Sequence, residues 1–219
     1  MNNAALYNLS YGLYIIGTKD GNKNAGCVVN TVIQATSQPV TVTVCINKDN
    51  YTNACVKKTG EFSVSILSEN AKPEVFGIFG FNSSRDKDKF AEVPCGHTPS
   101  GLPYLKEGVT GFLQCKVIGF TENYTHTIFI GEVKEAENLS SDPPMTYAFY
   151  HKVVKGKTPK NAPGFSAVPK DSKTESGSYK CGVCGHVFTG SKEEFDKLPD
   201  DYRCPICGAA KGKFIPVGN

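Results

Sequence analysis

Four cysteines near the end of the chain carry the clearest chemistry in the sequence. Cys181 and Cys184 form one C-x-x-C pair and Cys204 and Cys207 a second, with nineteen residues between Cys184 and Cys204. Four thiolates at this spacing can close around one tetrahedral ion. A glycine follows each pair, Gly185 and Gly208. Glycine there lets the backbone turn tightly and aim N–H groups at the sulfurs. A four-sulfur tetrahedron suits zinc or iron. The site is therefore either a structural zinc ribbon or an iron centre that carries electrons.

The residues around the pairs separate these two. Tyr179 stands two residues before the first cysteine, L-P-D-D-Y precedes the second pair, and A-x-K-x-x-F follows it. Residues 179–214 resemble rubredoxin, which implies one iron in the four-cysteine site, with zinc as a possible substitute. Two features depart from that pattern. The stretch between the pairs is short, and Tyr202 stands where tryptophan is common.

Earlier in the chain the chemistry is subtler. N-T-V-I-Q-A-T-S-Q-P follows a strand-like stretch at Cys27, and I-N-K-D-N-Y-T leads from another into a helix start. Hydroxyls, amides and a helix N-terminus can together hold a phosphate; the same residues also serve as ordinary turns and caps. Neither a G-x-G-x-x-G nor a G-x-x-x-x-G-K fingerprint is present.

Six runs occur in order: G-L-Y-I-I-G-T, N-T-x-x-Q-A-T-S-Q-P, I-N-K-x-N-Y-T, G-E-F-S-V-S-I-L, F-G-F-N-S-S-R-D-K-D-K-F and H-T-I-F-I-G-E-V. Together they resemble the flavin reductase-like family of FMN-binding split barrels, over residues 6–150. The resemblance implies FMN at a homodimer interface. It makes Asn30, Thr31, Gln34, Asn47, Lys48, Tyr51 and Thr52 flavin-site candidates, with Ser83, Arg85 and Lys87 in a second phosphate-side loop. Cys45 and Ile46 would lie near the isoalloxazine edge. His126 stands where the family often places a histidine near flavin and nicotinamide, and is the candidate catalytic residue. A single histidine before a strand is otherwise a structural hydrogen-bonder.

These residues need a scaffold, and the pattern of the first 150 residues is one of strands and turns. Stretches 12–18, 27–32, 40–46, 62–67, 112–120 and 127–133 read as strands, several with period-two alternation. K-D-G-N-K-N-A-G reads as a hairpin turn. Short helices are expected at 51–59 and 71–79. The expected fold is mainly β: a split β-barrel of Greek-key type plus a small rubredoxin-like metal domain. With 219 residues, the chain has room for one medium and one small domain. The expected divisions are 1–165, a flexible linker at 166–178, and 179–219. Gly156 to Phe165 could instead pack on the first domain as an arm.

Charge and cysteine usage exclude other classes. Residues 1–150 hold 12 basic and 14 acidic side chains, and 175–219 hold six of each. Residues 151–174 hold six lysines and one aspartate. A basic connecting segment, rather than a basic face on a folded module, argues against nucleic-acid binding. Met1–Ser10 lacks the basic start and apolar core of a secretory signal, so none is expected, and no apolar run in the sequence is long enough to span a membrane. Five single cysteines, Cys27, Cys45, Cys55, Cys95 and Cys115, fit a reducing cytoplasm better than a disulfide framework.

A flavin module and a one-iron module on one chain suggest a circuit from NAD(P)H through FMN to iron. The whole architecture resembles the high-molecular-weight rubredoxins, which implies a flavodiiron nitric oxide or dioxygen reductase as the electron acceptor. The alternatives are a flavin reductase that releases reduced flavin and carries a zinc ribbon for partner binding, or a binding module with an inert barrel.

Overall fold

The computed structural model describes residues 3–154, 179–182, 186–188, 190–205 and 208–216. The expected linker at 166–178, the arm at 156–165 with Phe165, and the ligand positions Cys184 and Cys207 lie outside these residues.

The first strands form because their side chains are buried on both faces. Strand β1 (Tyr14–Asp20) carries Ile15 and Ile16 side by side, each with no exposed surface. It pairs antiparallel with β2 (Lys23–Val29) across a turn at Gly21 and Asn22. β3 (Val32–Ser37) and β4 (Val40–Asn47) make the next hairpin. Helix α1 (Tyr51–Thr59) starts at Asn50, whose side chain accepts from the Thr52 N–H. Such a cap satisfies a donor that the first helical turn would otherwise leave open.

β5 (Glu61–Leu67) lies beside β1, and α2 (Pro73–Phe81) follows with proline in its first turn. β6 (Cys95–His97) and β7 (Pro103–Leu105) form a small separate pair. The long β8 (Val109–Asn123) and β9 (His126–Asn138) complete a seven-stranded antiparallel sheet in the order β2-β1-β5-β8-β9-β4-β3. β4 and β5 are consecutive in sequence yet flank the β8–β9 hairpin on opposite sides.

The sheet curls. Ile16, Cys27 and Val29 from one end share a core with Val42, Val44 and Ile46 near the other, closed by Phe62, Val64, Cys115 and Phe129. A second cluster covers the outer side, where Leu13, Ile15 and Leu67 meet Val75, Phe76 and Phe79 of α2. Gly17 is required where these layers come closest. A Cβ there would lie 2.2 Å from the Pro103 carbonyl oxygen and 2.5 Å from Ser63 Oγ, inside any allowed contact.

After β9 the chain returns along α2 in a short helix α3 (Tyr147–Phe149) and one π-helical turn, Tyr150–Val154. The sequence pattern did not flag this segment, which brings Tyr150 onto Phe76 with ring centroids 4.5 Å apart.

The C-terminal unit has its own core of Cys181, Phe195, Cys204 and Phe214. β10 (Tyr179–Cys181) pairs with β11 (Phe214–Pro216). Helix α4 (Lys192–Asp196) opens with a reciprocal capping box between Ser191 and Glu194, the S-x-x-E signature written in the sequence. Strands dominate, so the fold is mainly β, a split-barrel sheet with a small C-terminal module.

Candidate flavin site and metal centre

The expected flavin-site residues gather at one end of the sheet. β4 and β9 pair so that Asn47 faces His126 and Cys45 faces Ile128. The Cys45 N–H donates to the Thr31 carbonyl at 3.3 Å, and the Lys48 N–H to the Thr125 carbonyl at 2.9 Å. Asn30, Thr31, Cys45, Ile46, Asn47, Lys48 and His126 therefore come together. Asn53 fixes α1 to this end, because its buried Nδ2 donates to the Ile46 carbonyl at 2.9 Å.

Asn30 is the atom-level clue. It is 3% exposed, its Oδ1 accepts from Thr31 Oγ1 at 2.9 Å, and its Nδ2 is left without a hydrogen-bond partner. A buried donor in that state wants an acceptor. It borders a hollow walled by Leu13, Val28, Phe76, Tyr147 and Tyr150. One free amide donor at an aromatic-walled hollow offers a hydrogen bond to a carbonyl or ring-nitrogen acceptor, and a flavin ring carries both.

At the expected phosphate side, the loop after α2 crosses the start of α1. The Arg85 guanidinium lies 5.3 Å from the Tyr51 ring centroid, Lys23 Nζ donates to the Arg85 carbonyl at 2.8 Å, and Ser83 Oγ accepts from the Arg85 N–H at 3.1 Å. The Tyr51 hydroxyl donates to Asp20 at 2.5 Å. That bond raises Tyr51 to about 12 and holds the Asp20 carboxyl below its usual range.

Several candidates also have partners of their own. Thr52 is fully buried and stands with Asn50 against the Cys27 sulfur, so it belongs to the packing between α1 and β2. Lys48 pairs with Glu122 at 3.0 Å and Lys87 with Glu92 at 2.7 Å. Gln34 is exposed on β3 and donates to the Thr36 carbonyl at 3.3 Å. His126 is half-buried as the first residue of β9, its Nδ1 in hydrogen-bond contact with Thr125 Oγ1 at 2.9 Å.

The single cysteines of the barrel are packing groups. Burial pushes the thiols of Cys27 and Cys115 up to about 11 and about 12, far from thiolate chemistry. Cys45, half-buried at the expected flavin edge, is raised by burial as well.

The metal half shows two equivalent turns. The Cys181 N–H donates to the His186 carbonyl at 2.7 Å, and the Cys204 N–H donates to the Ala209 carbonyl at 2.8 Å, five residues on in each case. The flanking bridges repeat too, Lys180 with Val187 and Arg203 with Ala210. Gly208 has φ of +69°, the left-handed backbone that the C-x-x-C-G turn asks of glycine. Cys181 and Cys204 are 0% and 2% exposed and share one core. Among the described residues no group of three metal-binding side chains converges, since half of the expected ligand set falls outside them. Buried sulfurs at two matching turns fit a thiolate-bound metal.

The sequence pattern gave no warning of the Tyr51–Asp20 bond, or of Tyr147 and Tyr150 beside the hollow. The Y-x-x-Y-H spacing at 147–151 does place three rings on one helical face, and that signal could have found them.

Two family models match the chain one after the other. The flavin reductase like domain matches residues 6–156 and rubredoxin matches 178–214. The high molecular weight rubredoxin of Moorella thermoacetica is 41% identical, covering 99% of this chain and all of that one. The ferric-chelate reductase (NAD(P)H) of Archaeoglobus fulgidus is 40% identical over 72% of this chain and 94% of its own. Among solved structures, an NADH:FAD oxidoreductase of Streptomyces globisporus superposes with a TM-score of 0.57 at 22% identity, covering 65% of this chain and 78% of that one. With the split-barrel sheet and the twin cysteine turns on one chain, the protein belongs to the flavin reductase-like family, in its branch that ends in a rubredoxin.

Proposed function

We propose that this oxidoreductase takes electrons from NAD(P)H through FMN to one iron held by Cys181, Cys184, Cys204 and Cys207, and passes them singly to a partner such as a flavodiiron nitric oxide or dioxygen reductase. The observation that carries the reading is the pairing, on one chain, of a buried amide donor at an aromatic-walled hollow with two matching cysteine turns. FMN supplies exchange between two-electron and one-electron steps, which hydride donors and iron otherwise lack.

The chain's own residues have separate tasks in this reading. Asn30 Nδ2 donates to an acceptor on the flavin ring, while Arg85, Tyr51 and Lys23 hold the phosphate end. His126, beside Asn47, orients the nicotinamide and shields the ring from water. The second copy of a homodimer completes the flavin site. Residues 1–165 form the flavin unit and 179–219 the iron unit, with 166–178 as the link, in a protein of the cytoplasm. Among the described residues no helix is long and apolar enough to cross a membrane.

The test is a visible spectrum and metal analysis of the pure protein, followed by stopped-flow mixing with NAD(P)H. Flavin and ferric–thiolate bands that bleach in turn, at a rate independent of protein concentration, support the circuit. Flavin without iron supports a reductase that releases reduced flavin and carries a zinc ribbon. A colourless protein overturns both.

A further inference from the structure

Phe81 ends α2 on the side away from the barrel core. Val75, Phe76 and Phe79 of the same helix turn inward, where Phe79 meets Phe90 with ring centroids 4.9 Å apart. At 100° per residue, Phe81 lies about 200° around the axis from Phe79. An apolar ring on the outer side of a helix ordinarily faces water. Here Phe81 is half-buried because it packs against the C-terminal cluster of Cys181, Phe195, Cys204 and Phe214. That cluster holds two of the metal-site sulfurs.

The same residue leads directly into the phosphate-side loop. Asn82 stops the helix, its Nδ2 donating to the Gly77 carbonyl at 3.0 Å. Ser84 Oγ then accepts from the Gly26 N–H at 3.0 Å, and Arg85 reaches the Tyr51 ring. One side chain therefore packs on the core that holds two of the expected ligand cysteines, and the backbone it sits on continues within four residues to the flavin candidates.

We propose that Phe81 is the docking contact that seats the C-terminal four-cysteine unit of this chain on the barrel, beside the flavin loop. This rests on the circuit proposed above and specifies where its two halves meet. One aromatic anchor makes a small interface, of the kind expected between units that also separate. Covalent attachment raises the local concentration of the C-terminal unit to about millimolar, so a weak contact is filled often and vacated readily. The unit can then turn to an external acceptor.

Two measurements on the full chain decide the matter. With phenylalanine rings labelled for NMR, the Phe81 signal should be broadened away in the iron-loaded protein and visible in protein loaded with zinc instead. An unchanged Phe81 signal in the two forms overturns the docking. In stopped flow, Phe81→Ser should slow bleaching of the ferric band about tenfold, a 1.4 kcal/mol effect. FMN content and NAD(P)H oxidation with an artificial acceptor should stay at the wild-type level, and Phe81→Leu should recover most of the rate. Wild-type bleaching rates in Phe81→Ser also overturn the proposal. If Phe81→Ser does not fold, the NMR comparison on the unaltered chain decides alone. If Phe81 is broadened but the iron never bleaches, the docking stands and the electron circuit fails.

Discussion

The ammonium of Lys89 is buried against the backbone of β2, donating to the Gly26 carbonyl at 2.9 Å and to the Phe79 carbonyl at 3.2 Å. Lys89 is 1% exposed. Burial lowers it to about 8 from 10.5. The groups facing it are the Cys27 thiol, Lys87 and Glu92. Between pH 8 and 10.5 the unfolded chain binds more protons at this residue than the folded one, so its contribution to stability rises with pH across that window. The full effect is about 3 kcal/mol. Cys27 acts oppositely above pH 9, because its folded thiol is held up to about 11. The clean measurement is therefore a difference. Urea midpoints of wild type and Lys89→Met, taken at pH 7.5 and 9.5, should diverge in favour of wild type at the higher pH. A constant difference would show that Lys89 titrates normally.

The two cofactor sites should fail separately. Cys204→Ser removes one sulfur from a core of four buried side chains and should abolish the ferric–thiolate bands. Flavin content should hold, since the flavin candidates are positioned by the barrel's own strands and loops. Loss of both colours together would contradict independent sites.

His126 can be separated from its structural neighbours. Asn47 pairs with it in the β4–β9 ladder, so the strand stays registered when the imidazole is replaced. His126→Asn should retain FMN but oxidise NAD(P)H about a hundredfold more slowly, the order of loss that a misplaced reactant brings. Steady-state rates on flavin-matched samples give the answer. Unchanged turnover would leave His126 as a hydrogen-bonder at a strand end.

The barrel core has a tight point with a specific remedy. A Cβ on Gly131 would lie 2.5 Å from Phe62 Cζ and 3.0 Å from Cys115 Cβ. Gly131→Ala should destabilise by about 1–3 kcal/mol. Adding Phe62→Leu should return part of that loss, although Phe62→Leu alone destabilises. Such non-additivity is expected of groups in contact, and denaturant titration of the four proteins measures it.

Dimerisation is testable by shortening the chain. A protein ending at residue 165 keeps both barrel cores, and should sediment as a flavin-loaded dimer. A flavin-loaded monomer would show that one copy suffices.

Much of this was legible from the residues. The alternation V-T-V-T-V-C-I marked β4, which runs one residue further, and α1 occupies Tyr51–Thr59 as expected. α2 lies two residues later than its apolar pattern suggested, because Pro73 fits a first turn better than an interior. β2 begins at Lys23, four residues earlier than the apolar stretch, and Val32 opens a new strand. Polar Lys23 and Asn24 are held by ladder pairing with β1, which hydrophobic pattern cannot reveal. The family runs brought most of the flavin candidates to one strand end. They could not show that Thr52 turns to Cys27, that Lys48 and Lys87 are taken by carboxylates, or that Lys89 is buried while Lys87 two residues away is not. Such choices are made by tertiary neighbours far away in sequence.

The twin turns at Cys181 and Cys204 bear on how an ion held in the proposed four-cysteine site would leave. Each turn has its own backbone bond and, in the sequence, its own C-x-x-C pair, so each would act as a two-point clamp. An ion freed from one clamp would remain on the other, close enough to be recaptured before a chelator could displace the remaining sulfurs. Cys181 and Cys204 share their core with Phe195 and Phe214, so exchange would wait on an opening of that small core. Metal retention would in this sense be a kinetic property, set by how often a few aromatic rings part.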